Sequence, residues 1–110
     1  MELPTYELWQ TEWCPASHRV RQRLTELGVD CVLRQVEPAP EQRDRLKAET
    51  GATSIPVLRC PDGTVVVGEA EILSYLDGHL KEPPLADAHR ERAKRAMQKL
   101  IERETAGQRR

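Results

Sequence analysis

Within the first 36 residues the apolar positions change period twice, and this constrains the fold more than any other feature of the sequence. Thr5 to Gln10 alternates around Tyr-Glu-Leu-Trp, the period of two expected of a strand. From Pro15 onward, Ala16, Val20, Leu24 and Leu27 recur at helical spacing, and Gly28 follows as a stop. Pro15 suits a first helical position, because the N–H it lacks would find no partner there. Cys31 to Val36 returns to a short strand. Strand, helix and strand in succession predict two parallel strands joined by a right-handed crossover.

The second half adds antiparallel strands. Pro38 and Pro40 start a helix that runs to about Thr50 and ends at Gly51. Its apolar face is thin, mainly Leu46 and Ala48, which predicts a surface helix. Pro56 to Cys60 and Thr64 to Val67 flank Pro61-Asp62-Gly63, the clearest hairpin signal in the chain. Glu69 to Leu80 reads as a helix with Ile72, Leu73, Leu76 and Leu80 on one stripe. Lys81 to Pro84 is a linker. A last helix runs from Leu85 to about Glu104, with Leu85, Ala93, Ala96, Met97, Leu100 and Ile101 expected to face inward. The order β-α-β-α-β-β-α plus one helix predicts an α/β fold: a mixed four-stranded sheet with helices on both faces. Residues 1–80 form the domain, and residues 81–110 form a linker and a C-terminal helical extension.

The 110 residues suit one domain. Phe is absent, so the core must be aliphatic. A net charge of -1 argues against a nucleic-acid binder. That charge is unevenly spread: residues 1–80 carry 8 Lys+Arg against 13 Asp+Glu, and residues 81–110 carry 9 against 5. No stretch approaches the ~18 apolar residues of a membrane span. The N-terminus shows no secretory pattern, and three cysteines without one fit a reducing cytoplasm.

Of those cysteines, Cys14 is placed for chemistry. It stands between a strand and a helix that begins at Pro15. A helix N-terminus offers free N–H groups and partial positive charge, which favour a thiolate. Ser17 lies within reach as a hydroxyl donor, and Arg19 and Arg21 add positive potential. Cys31, inside a strand, and Cys60, at a hairpin edge, read as buried small residues. His18, His79 and His89 have no metal-ligand spacing with any cysteine, so no metal site is expected.

Cys14-Pro15-Ala16-Ser17, continued by His18-Arg19-Val20-Arg21, resembles the active-site motif of glutaredoxins and of the N-terminal domain of cysteine-type glutathione S-transferases. Thr50 to Leu58 is similar to that group's helix end, loop and cis-proline strand, and Gly68 to Leu73 to the segment that receives the γ-glutamyl end of glutathione. The resemblance covers about residues 5–80 and implies the thioredoxin-like fold. It also implies roles. Cys14 would be the nucleophile, with Ser17 as its hydrogen-bond partner. Ile55 would offer its backbone to the cysteinyl part of glutathione, and the bond to Pro56 would be cis. Arg43 would face the glycine carboxylate. Glu69 and Glu71 would meet the γ-glutamyl ammonium. Ser17 stands where dithiol glutaredoxins have a second cysteine. Ala16 stands where an aromatic is common, with Trp13 as the substitute apolar wall. Ala70 replaces a serine that holds the γ-glutamyl carboxylate in many transferases. Glu82-Pro83-Pro84-Leu85 and the following helix resemble the linker and first C-terminal-domain helix of those transferases.

The function so implied is that of a monothiol glutaredoxin-like oxidoreductase. It would use glutathione or a similar low-molecular-weight thiol as co-substrate, bind no cofactor tightly, and act on protein mixed disulfides. Two other readings accompany it: a dimeric [2Fe–2S] cluster carrier, and a non-catalytic thiol-binding module. The last helix is expected to fold back on its own body in a monomer, with a homodimer through that helix as the alternative.

Overall fold

The structure is a computed structural model that describes residues 4–108. Strand β1 is Tyr6–Gln10, helix α1 is Pro15–Glu26 and β2 is Cys31–Gln35. A short helix, α2, spans Asp44–Thr50. Strands β3 (Val57–Arg59) and β4 (Val65–Val67) precede α3 (Glu69–His79) and α4 (Ala86–Gln108). The sheet order is β2-β1-β3-β4. β1 and β2 are parallel, whereas β1 and β3, and β3 and β4, are antiparallel. The expected mixed sheet is therefore present.

Alternation along β1 builds two cores. Leu8 points to the face covered by α1 and α3, where it packs with Val20, Leu24, Leu58, Ile72 and Leu76. Trp9 points to the other face, where it packs with Val57 and Leu46 of α2. The hairpin turn closes through Cys60 N–H to Thr64 O at 2.8 Å, and the Asp62 carboxylate accepts the Thr64 N–H at 2.9 Å. Gly63 takes the positive φ that this turn requires.

Two expectations are corrected. The helix expected from Pro38 to Thr50 is broken: a 3-10 turn covers Pro40–Gln42, and α2 starts only at Asp44. Arg43, at the break, has non-helical dihedrals, and its guanidinium donates to the carbonyls of Glu37, Pro38 and Thr53 at 2.9–3.0 Å. Those side-chain bonds tie the loop together in place of a helical ladder.

The second correction concerns α4, whose apolar stripe does not face inward. Ala86 is buried, but Leu85 is 66% exposed, and Met97, Leu100 and Ile101 are 45–52% exposed. The facing part of α1 explains this, because it offers His18 and Gln22, which give the stripe no apolar counterpart. Ions instead join α4 to the body. Glu26 of α1, buried at 5% exposure, receives Arg90 of α4 at 3.2 Å. Arg23 bridges Glu26, Asp77 and Glu82 at 2.7–3.0 Å. The radius of gyration is 16.0 Å, against about 13 Å for a compact chain of this length. Among the described residues no helix is long and apolar enough to cross a membrane.

Candidate functional site

Three segments meet at one end of the sheet. β1 delivers the chain to Cys14 and α1. In the antiparallel register that pairs Trp9 with Val57, Pro56 lies just before β3 at the same end. Pairing of Val57 with Val67 then brings Gly68 and the start of α3 alongside. The Gly68 N–H donates to Pro56 O at 2.9 Å, which fastens α3 to that proline. The Ile55–Pro56 peptide bond is cis, and Pro56 is buried.

Cys14 is the N-cap of α1, in an extended conformation, with Pro15 in the first turn. Its Sγ accepts the Ser17 backbone N–H at 3.4 Å. Partial burial opposes ionisation of this thiol. The Ser17 hydroxyl and N–H, the Ala16 N–H and the charge of Arg19 outweigh that effect and hold it below the usual thiol range. The Ser17 hydroxyl is buried and makes no hydrogen bond of normal length among the described residues. Cys31 and Cys60 go the other way, since burial pushes both thiols up. All three cysteines are free. The site therefore holds one thiol disposed to ionise.

The loop ahead of Cys14 is held by Arg21. Its guanidinium donates to the Gln10 side-chain oxygen and to the carbonyls of Thr11 at 3.4 Å and Glu12 at 3.5 Å. Gln10 is fully buried and in turn donates to Gln35 at 3.0 Å. The sequence reading missed this chain. The available signal was a glutamine closing an otherwise apolar strand.

The remaining expected residues fall as follows. Trp13 stands beside Cys14 and is 71% exposed. Ile55 is half-buried against the Trp9 core. Arg43 lies in the loop after β2 with three of its N–H groups on backbone carbonyls. Glu69 opens α3 and is bonded bidentately by Arg19 of α1. Ala70 and Glu71 are exposed in the same turn. Among the described residues, no three His, Cys, Asp or Glu side chains converge as a metal site would require.

Comparisons with known proteins agree with this geometry. The family model described as "Glutathione S-transferase, N-terminal domain" matches residues 13–79. A glutathione S-transferase domain-containing protein of Marinobacter aquaeolei is 31% identical over 72% of this chain and 40% of its own, with a TM-score of 0.58. A glutathione transferase family member of Pseudomonas fluorescens, solved with bound glutathione, is 27% identical over 74% of this chain and 41% of its own, with a TM-score of 0.63. Glutaredoxin 2 of Salmonella typhimurium, also solved with glutathione, shares the fold at 17% identity and a TM-score of 0.57, over 66% of this chain and 32% of its own. The chain thus spans less than half the length of each of these structures. No curated protein matches it.

Proposed function

The chain belongs to the glutathione S-transferase N-terminal domain family, and from that premise we propose that it is a monothiol thiol–disulfide oxidoreductase working through Cys14. The observation that carries this reading is the cap geometry: a partly exposed sulfur at the N-terminus of α1, with the Ser17 N–H donating to it at 3.4 Å.

In the proposed reaction the Cys14 thiolate attacks the glutathione sulfur of a mixed disulfide. The Cys14–glutathione disulfide forms, the original S–S bond breaks, and the partner thiolate leaves and takes a proton. A second thiolate, from free glutathione or a similar small thiol, attacks the same glutathione sulfur. It departs as the oxidised disulfide and returns Cys14 as thiolate. Ser17 serves as donor to the sulfur in both steps. The cis-proline segment, with Ile55 beside it, lies where an extended thiol peptide could add to the start of β3. Protein mixed disulfides are the second substrate class, and the exposed Trp13 offers them an apolar contact.

The test is turnover of a small glutathione mixed disulfide by the full chain. Activity lost in Cys14→Ser and kept in Cys31→Ser supports the reading. Activity that survives Cys14→Ser removes it.

A further inference from the structure

Arg21 closes a ring of contacts around the Cys14 backbone. It lies on α1 between Val20 and Leu24 in sequence, and the packing of those two side chains in the core fixes its own backbone. Its guanidinium reaches back to the loop ahead of Cys14. Nη1 donates to the Gln10 side-chain oxygen and, at 3.4 Å, to Thr11 O, while Nη2 donates to Glu12 O at 3.5 Å. Thr11 O also accepts the Cys14 N–H, at 3.4 Å. One carbonyl thus joins the guanidinium to the backbone that carries the thiol. Gln10, fully buried, is itself held by Gln35 at 3.0 Å. Arg21 also pairs with the Glu12 carboxylate, but at 3.7 Å and with that side chain 81% exposed. An exposed pair of this kind contributes little.

A lysine at this position would supply the same charge without the same grip. An ammonium is a point donor, whereas a planar guanidinium meets several acceptors at fixed angles. The grip matters because the thiolate depends on geometry. Cys14 Sγ takes the Ser17 N–H at 3.4 Å, and a hydrogen bond weakens steeply as distance and angle drift. We infer that Arg21 is a positioning residue for the reaction proposed at Cys14: through the Thr11 and Glu12 carbonyls it holds the sulfur at the Ser17 N–H. The inference rests on Cys14 as the nucleophile. It separates Arg21 from Arg19, whose charge acts on the sulfur directly and is shared with Glu69.

The test separates grip from charge. The full chain is alkylated with iodoacetamide across pH, the adduct is located by mass, and the thiol midpoint is read from the rate profile. Arg21→Lys keeps the charge and loses the fork. It should raise the midpoint and slow alkylation about fivefold at a pH below both midpoints, the scale of one lost hydrogen bond. Gln35→Ala, at an exposed position, releases Gln10 and should raise the midpoint by less. Glu12→Gln removes only the ion pair and should not raise it. Leu46→Ala should lose more stability to urea than Arg21→Lys yet keep the parent midpoint, which separates positioning from weaker folding. A parental midpoint in Arg21→Lys, or in Gln35→Ala should that variant not fold, overturns the positioning role and leaves the nucleophile intact. A midpoint raised as much by Glu12→Gln does the same. An ordinary thiol midpoint in the parent chain, or alkylation unslowed in Cys14→Ser, overturns the nucleophile, and the positioning role falls with it.

Discussion

The backbone N–H of Ser17 points at the Cys14 sulfur from 3.4 Å, a contact that follows from Pro15 starting the helix one residue after the thiol. Because hydrogen bonds and the Arg19 charge outweigh burial, the thiol is expected to titrate below an ordinary cysteine. Its reaction rate with an oxidised small thiol should rise with pH and level off once the thiolate is fully formed. Ser17→Ala should move the midpoint back up and slow the reaction at neutral pH by about fivefold, the equivalent of one ~1 kcal/mol hydrogen bond. Ultraviolet thiolate absorbance, with Cys14→Ser subtracted, reads the midpoint. An ordinary midpoint in the parent chain would refute the claim.

Glu26 ties α1 to α4 through Arg90 and shares Arg23 with Asp77 of α3. Burial raises its pKa, but hydrogen bonds from Gln22 and Arg23 and the charge and bonds of Arg90 lower it on balance. A carboxyl depressed in the folded state contributes stability above the ordinary carboxylate range and loses it as pH falls through the folded value. The acid limb of a stability–pH profile should therefore flatten in Glu26→Gln. That variant should also lose about 1–2 kcal/mol at neutral pH, less than for a fully buried pair, because both arginines keep some solvent. Urea unfolding across pH measures both, and an unchanged acid limb would count against the assignment.

Leu46 is the only residue of α2 that is buried. Leu46→Ala should cost about 2–4 kcal/mol, since the Trp9 core has no second residue of α2 to refill the space. The effect should be local as well as global. Amide exchange across residues 36–55, which lead into the cis-proline segment, should quicken before that of β1. Uniform acceleration would show that α2 is not an independent clasp.

On α4 the expected pattern is a contrast between its ends. Leu100→Gln and Ile101→Gln should change stability by less than about 0.5 kcal/mol, as exposed positions do. Ala86→Leu, buried at the seam, should cost about 1–3 kcal/mol by overpacking. A large loss at Leu100, or a light-scattering mass that drops in Leu100→Gln, would mean that a second copy covers the stripe in solution.

Local features were legible because their causes are local. Pro61-Asp62-Gly63 is a turn by its own dihedral preferences, and the Cys14-Pro15 pair positions a thiol at a helix tip without help from distant residues. The periods of Val20, Leu24, Ile72 and Leu76 gave the faces that pack. What stayed hidden depended on partners far along the chain. Arg43, at the helix break, bonds not only the nearby carbonyls of Glu37 and Pro38 but that of Thr53 ten residues on. Glu69 reads as an ordinary first-turn acid until α1 brings Arg19 to it across fifty residues. The stripe of Met97, Leu100 and Ile101 has the period of a packed face, and only the polar surface of α1 beside it shows why it lies open.

The ionic seam at Arg90 makes α4 a lever. Eighteen residues separate Arg90 from the end of the helix at Gln108, which at 1.5 Å each is about 27 Å of rod. A rotation of about 10° at the seam would carry the far end by about 5 Å, from the same rise per residue. Apolar interlock fixes an angle by shape, whereas charge pairs tolerate a range of angles at nearly constant distance. The reach of this chain is therefore set by a few carboxylates and guanidiniums near Glu26, and ionic strength is a mechanical variable for it.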